Sequence, residues 1–101
     1  MIGRIWHGWT KPENADSYEQ LLRAEVLPGI HRVEGYRGAY LLRRVAGDDV
    51  EFVTLTLFDS LDAVRAFAGE DYEAAVVPPP AQALLARYDP RSAHYDVVIH
   101  P

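Results

Sequence analysis

The hydrophobic and polar positions in the first part of the chain follow two different periods, one typical of a strand and one typical of a helix. Residues 2–9 are rich in β-branched and aromatic side chains, which predicts a strand. Residues 18–26 carry apolar side chains near helical spacing with polar ones opposite, which is typical of a half-buried amphipathic helix. We expect Thr10 and Glu13 to form a capping box at the start of this helix. Pro28, followed by glycine, is expected to end or kink it.

The middle of the chain predicts a hairpin followed by a second helix. Residues 39–45 and 50–58 have strand composition, and the Gly-Asp-Asp turn at 47–49 separates them. Ser60 is a candidate N-cap for a helix whose apolar residues recur at helical spacing, and Gly69 is expected to end it.

The C-terminal third is predicted to add a helical segment and a strand. Three prolines at 78–80 break the preceding structure, residues 81–88 form one more helical segment, and residues 94–99 alternate as a last strand. The order strand, helix, strand, strand, helix, strand is that of a split βαβ unit. We therefore predict an α+β, ferredoxin-like fold (βαββαβ), in which a four-stranded antiparallel sheet carries its helices on one face.

The third predicted strand has apolar residues on both of its faces. Val53 and Leu55 point to one side and Phe52 and Phe58 to the other, although two helices can cover only one side. A large exposed apolar surface usually marks an interface. We predict a homodimer that packs sheet on sheet.

Composition narrows the classes of function. The 101 residues are enough for a single domain over 1–101, and 49% of them are hydrophobic without any run long enough to span a membrane. The net charge of -5 makes nucleic acid an unexpected partner. The absence of cysteine excludes disulfides and thiolate chemistry. No secretory signal is visible at the start, so we expect a cytoplasmic protein without a membrane partner.

The first strand holds both tryptophans of the chain. Trp6 and Trp9 have odd spacing, so they face opposite sides of the strand, and His7 shares the side of Trp9. Bulky amphipathic rings in a first strand are typical of a cavity wall or an interface. We expect Trp6, with Arg4 on the same side, to line a cavity under the helices, whereas packing in the core or the interface is the alternative for either ring.

Two histidines are candidates for proton transfer near neutral pH. His94, in the last predicted strand, is expected to lie near the first strand, which carries His7. No carboxylate stands at motif spacing from either histidine. A structural histidine is the alternative for each. The four histidines of the chain show no metal-binding spacing, so no metal site is predicted.

Other side chains are candidates for contact with a ligand. Tyr72 and Tyr95 could donate a hydrogen bond to a phenolic or quinone oxygen, and Arg4 could hold an enolate or phenolate. For each of these residues a role in the core or on the surface is the alternative.

Five segments together resemble a known family. The chain is similar over almost its whole length to the antibiotic biosynthesis monooxygenase-like proteins of the dimeric α+β barrel superfamily. The resemblance rests on residues 2–10 (IGRIWHGWT), 34–44 (EGYRGAYLLRR), 50–61 (VEFVTLTLFDSL), 67–72 (FAGEDY) and 94–97 (HYDV). It implies a homodimer with a barrel-like interface and a cavity between sheet and helices, where characterised members oxygenate polycyclic phenols or quinols without a cofactor and others degrade haem.

The residues that serve these two branches of the family are not matched here. The resemblance implies Asn, Trp and His in the haem-degrading branch, where this chain has Trp6, Phe67 and Val77. It implies Trp and Tyr in the quinone-forming branch, where this chain has Phe58 and Val64. Haem degradation is therefore disfavoured and no cofactor is predicted, while Phe67 stays a candidate for contact with a substrate.

Two hypotheses remain open at this stage. In the first, the protein is a cofactor-free monooxygenase or binder of a small aromatic, polyketide-like compound, with His94 or His7 as base and Trp6, Arg4, Tyr72, Phe67 and Tyr95 around the substrate. In the second, it is a non-catalytic homodimeric protein, either a ligand binder or a structural domain, whose aromatic rings fill the interface. A shared fold does not decide between them, because one fold hosts unrelated functions.

Overall fold

The computed structural model describes all residues, 1–101. The strands are β1 (Ile2–Thr10), β2 (Tyr36–Ala46), β3 (Asp49–Phe58), β4 (Leu85–Tyr88) and β5 (Ala93–Asp96). The α-helices are α1 (Pro12–Leu21), α2 (Leu27–Ile30), α3 (Leu61–Ala68) and α4 (Pro79–Leu84), with a π-helical turn, Leu22–Val26, between α1 and α2. None of these helices is both long and apolar enough to cross a bilayer.

The sheet is antiparallel and has the strand order β2-β3-β1-β4, with β5 also paired to β1. This confirms the predicted α+β, ferredoxin-like fold. The last strand differs from the prediction, because two short strands share one edge of β1: Tyr88 of β4 pairs with Gly8, and His94 of β5 pairs with Arg4.

The helical segment predicted over residues 81–88 is half wrong. The helix α4 stops at Leu84, and residues 85–88 form β4. The reason is that the backbone of this segment satisfies its hydrogen bonds on the free edge of β1. The predicted last strand is also shorter than expected, because β5 ends at Asp96 and Val98 and Ile99 are exposed.

The capping box predicted at the start of α1 is wrong. Thr10 is the last residue of β1, where it pairs with Val50 of β3, and its buried hydroxyl has no hydrogen-bond partner. Lys11 takes the N-cap position with an extended backbone, and Pro12 occupies the first helical position. A proline is tolerated there because the N–H it lacks would have no partner within the helix.

The helical segment after α1 continues past Pro28 rather than ending there. The π-helical turn ends where the backbone N–H of Leu27 donates to the carbonyl of Leu22, five residues earlier. Pro28 is the second residue of α2, and the π-helical turn before it carries the helical segment past the proline. The helix therefore reaches Ile30 and brings that side chain into the core.

The hairpin and the start and end of α3 follow the prediction. A two-residue turn joins β2 to β3, and Gly47 has a φ of 62° there. The Ser60 hydroxyl accepts a hydrogen bond from the Ala63 amide at 3.2 Å, and Gly69 ends the helix with a φ of 90°. The helices cover one face of the sheet, which is called here the helix face. The other face is called the open face, because no helix covers it.

Candidate functional site

A cavity lies between the helix face and the helices. Its inner part has a volume of about 60 Å³ and its outer part, the vestibule, about 340 Å³. The two parts adjoin each other, because five residues line both: Val26, Ile30, Phe67, Val76 and Pro78. Most of the inner wall is apolar, which makes the few polar groups there informative.

Arg4 is the cationic side chain of the inner wall, and it is only 4% exposed. Its guanidinium donates to the backbone carbonyls of Tyr72 and Ala74, the latter at 3.0 Å, and lies 5.5 Å from the centre of the Phe67 ring. No carboxylate pairs with it, and burial lowers its pKa. A buried guanidinium without a counter-ion at a cavity wall is suited to an anionic ligand.

His94 lies beside Arg4, with 2.9 Å between its Nε2 and the Nη1 of Arg4. Since an arginine only donates, Nε2 accepts this hydrogen bond and the ring proton is on Nδ1, which is buried without a partner. Burial and, after it, the Arg4 charge lower the pKa of His94, so the ring is neutral at pH 7. The Tyr72 ring packs edge-on against the imidazole at 5.1 Å.

Trp6 lines the inner cavity on the same face as Arg4, as the parity of β1 predicts. Its indole N–H donates to the Asp89 carbonyl at 2.7 Å, and its ring lies 5.9 Å from that of Tyr88. Gly8 makes room for the ring, because a Cβ atom at that position would lie 2.8 Å from the indole. The orientation of Trp6 is therefore set by the loop and strand that follow α4.

Ser92 is a polar residue of the inner wall that the sequence analysis missed. It is 4% exposed, and its hydroxyl has no hydrogen-bond partner. It stands immediately before β5, two residues from His94 and therefore on the same side of the extended chain. That spacing was the available signal, but a lone serine after a proline turn also fits an ordinary loop.

His7 lies on the open face and not at the cavity. Its Nδ1 is 2.9 Å from Oε2 of Glu51, and its ring stacks on Trp9 with 6.1 Å between centroids. Glu51 is buried, and hydrogen bonds from Arg44 and then from His7 lower its pKa. This carboxylate partner comes from the neighbouring strand, and for that reason no sequence spacing revealed it.

The candidate residues thus separate into two groups. Arg4, Trp6 and Phe67 line the cavity, while His94 and Tyr72 contact Arg4 from the side. His7 and Tyr95 lie on the open face, where Tyr95 pairs with Gly3 and is 58% exposed. The two histidines are therefore on opposite sides of the sheet and cannot exchange a proton directly.

The open face exposes further apolar side chains. Tyr40 and Leu42 of β2 are each about half exposed, at 56% and 52%. They are paired with Leu55 and Val53 of β3, which point to the same side. This face therefore carries adjoining apolar side chains on the edge strand β2 and on its neighbour β3.

Comparison with known proteins gives one family. A family model described as antibiotic biosynthesis monooxygenase matches residues 1–78. None of the curated proteins matches this sequence.

Solved structures share the fold at low sequence identity. A Bacillus cereus protein described as a candidate antibiotic biosynthesis monooxygenase superposes with a TM-score of 0.69 at 17% identity, covering 100% of this chain and 94% of its own. The haem degrader MhuD from Mycobacterium tuberculosis, solved with two haems in its active site, gives 0.64 at 20%, covering 100% and 99%. The cofactor-independent oxygenase SnoaB from Streptomyces nogalater gives 0.61 at 18%, covering 98% and 95%.

Proposed function

Since the chain belongs to the antibiotic biosynthesis monooxygenase family, we propose that it binds a small phenolic aromatic compound in its cavity and oxygenates it without a cofactor. The observation that carries this proposal is Arg4, a buried cation without a carboxylate partner at the inner end of a mainly apolar cavity. Such a group stabilises an oxyanion where water is largely excluded.

The first step is removal of the phenolic proton. A phenol that enters oxygen-first reaches Arg4, whose charge stabilises the phenolate and lowers the pKa of the bound phenol. When the substrate oxygen accepts the hydrogen bond from Nη1, the Nε2 lone pair of His94 is released and takes the phenolic proton. His94 is suited to this because its lowered pKa keeps it neutral at pH 7.

The second step is addition of dioxygen to the electron-rich anion. A C–O bond forms at the ring carbon para to the oxyanion, and the electron pair comes from the ring. The O–O bond then breaks, one oxygen atom stays as the new quinone carbonyl, and the other leaves as water with the two hydrogens lost by the substrate. One phenol and one O2 thus give one quinone and one H2O.

The protein is proposed to act as a homodimer through its open face. Support comes from the exposed apolar residues Tyr40 and Leu42 on that face, which the helices of the same chain cannot cover. The cavity lies on the helix face, so this dimer leaves the vestibule free.

A non-catalytic ligand-binding protein is the second candidate function. The observation that favours it is that His94 accepts a hydrogen bond from Arg4 and neither part of the cavity is lined by a histidine. In that case Arg4 binds the anionic ligand, but no base lies beside the ligand to take its proton.

Labelled dioxygen separates the two candidates. With 1-naphthol as probe, the oxygenase produces 1,4-naphthoquinone with one ¹⁸O atom from ¹⁸O2 and consumes one O2 per quinone. A rate equal to that of buffer alone, with the naphthol bound, would favour the non-catalytic protein. Without binding of the naphthol, both candidates fail.

Two variants test the assigned roles against a matched control. Arg4→Lys keeps the charge but loses the paired donors, and His94→Gln removes the base, so both should lower kcat by about 10²-fold or more. Arg23→Gln replaces an exposed arginine of the π-helical turn, which is bonded to Glu19, and should leave the rate unchanged. Equal rates in wild type and His94→Gln would remove His94 as base.

A further inference from the structure

Ser92 has a buried hydroxyl that the fold leaves unpaired. The residue is 4% exposed and lines the inner cavity together with Arg4, yet its Oγ has no hydrogen-bond partner. Its backbone is held, because the Ser92 amide donates to the Glu73 carbonyl at 2.7 Å. A buried hydroxyl without a partner destabilises the fold, so its presence at a cavity wall indicates a partner that enters from outside.

The same short loop holds both Arg4 and Ser92. Tyr72 and Ala74 accept hydrogen bonds from the guanidinium, and Glu73 between them accepts from the Ser92 amide. Ser92 also stands two residues before His94, which contacts Arg4. One loop therefore positions both the guanidinium and the hydroxyl, and both groups line the inner part of the cavity.

We infer that Arg4 and Ser92 together form a binding site for the two adjacent oxygens of a monoanionic ligand, with the apolar body of the ligand in the vestibule. The ligand class is an anionic ring compound with two oxygens on the same carbon or on adjacent carbons, as in an aryl carboxylate or an ionised hydroxyquinone. This inference rests on the proposed use of the cavity and adds to it the class of ligand and a residue, Ser92, that selects it.

The dimensions of the cavity fit a ligand with a polar head and an apolar body. The inner part, at about 60 Å³, has room for the oxygens and the carbons that bear them but not for a ring system. The vestibule, at about 340 Å³, is lined mainly by aliphatic residues and by Phe67. A ligand therefore places its anionic end inward, and the guanidinium and hydroxyl each donate to one of its oxygens.

Calorimetric titration with two quinones tests the site. 2-Hydroxy-1,4-naphthoquinone is ionised at pH 7 and has two oxygens on adjacent carbons, whereas 1,4-naphthoquinone has nearly the same shape and no charge. 2-Naphthoate provides the carboxylate arm. None of these binding measurements depends on oxygenation, so failure of the oxygenase proposal and failure of this inference are distinguishable.

Ser92→Ala is the decisive variant, and Ser17→Ala, on the exposed side of α1, is its control. Removing a hydrogen bond to a charged group should raise the Kd of the hydroxyquinone about tenfold and leave that of the neutral quinone unchanged. Ser17→Ala should change neither. The unpaired hydroxyl also predicts that Ser92→Ala does not lower the melting temperature, which a purely structural serine would do.

Three results would overturn the inference. They are an unchanged Kd for the hydroxyquinone in Ser92→Ala, an equal loss for the charged and the neutral quinone, and binding of neither quinone by the wild type. Should the alanine variant fold poorly, Ser92→Thr keeps the hydroxyl and must retain the preference for the anion. The ratio between the hydroxyquinone and 2-naphthoate tells which two-oxygen group the site prefers.

Discussion

Arg4 and His94 face each other between β1 and β5, with 2.9 Å between the guanidinium Nη1 and the imidazole Nε2. Protonation of His94 would remove the acceptor of this hydrogen bond and place a second cation against the first. The fold therefore holds His94 in its neutral form, and this affects stability as well as chemistry.

The first prediction is that His94 makes the folded state sensitive to mild acid. Its pKa is lowered from 6.5, so the unfolded chain takes up a proton at a higher pH than the folded chain does. The stabilisation is complete above about pH 6.5 and is lost as the pH falls through the lowered pKa. Urea unfolding at pH 7.5 and 5.5 should show a smaller drop in the free energy of unfolding for His94→Gln than for wild type.

His100→Gln is the matched control, because that imidazole is exposed and near the C-terminus. It should keep the pH dependence of the wild type. The same drop in all three proteins would contradict the prediction.

The second prediction concerns two glycines with opposite surroundings. Gly8→Ala places a Cβ 2.8 Å from the Trp6 ring and should lower the free energy of unfolding by about 1–3 kcal/mol. Gly29→Ala meets nothing within 4 Å and lies in α2, so it should raise stability by about 0.5–1 kcal/mol. Chemical denaturation followed by circular dichroism measures both, and equal effects would show that the Trp6 ring can move aside freely.

The third prediction concerns the start of α3. Ser60→Ala removes the acceptor of the Ala63 amide and should lower the free energy of unfolding by about 1 kcal/mol. Ser17→Ala, within the exposed part of α1, should change it by less than about 0.5 kcal/mol. Thermal unfolding of both variants distinguishes a capping hydroxyl from a general effect of serine removal.

The fourth prediction concerns self-association. Leu42→Asp introduces a charge into the open face and should yield a monomer by light scattering at micromolar concentration, where the wild type is expected to be a dimer. Ala24→Asp makes a similar change at an exposed helical position and should remain dimeric. A monomeric wild type would show that the open face has another partner or none.

Most of the fold could be predicted from the sequence because its patterns are local. The alternation in β1 separates Trp6 from His7, and the turn at Gly47 fixes the hairpin. The helix predicted over residues 81–88 was half wrong, since its second half becomes β4 only through pairing with β1, a contact distant in sequence. The capping box predicted at Thr10 was wrong for the same reason, because Thr10 pairs with β3 as the last residue of β1.

The candidate site was only partly accessible from sequence. Because side chains alternate between the two faces of β1, the sequence predicts that Arg4 and Trp6 lie on the same face, and both line the cavity. The carboxylate beside His7 and the unpaired hydroxyl of Ser92 depend on strand register and on a loop, which single-sequence patterns do not encode. Contacts between residues of neighbouring strands can be predicted only when the strand register is known.

The π-helical turn at Leu22–Val26 holds one residue more than a regular α-helical turn, and this decides how changes of length affect the helix. Deleting one residue there would restore regular α-helical pitch and leave the residues that follow facing nearly the same way. Ile30 would keep its place at the cavity wall. One residue inserted into the regular helix α1 would instead rotate everything that follows by about 100° around the axis. In this helix, evolution is therefore freer to lose a residue at the π-helical turn than to gain one in α1.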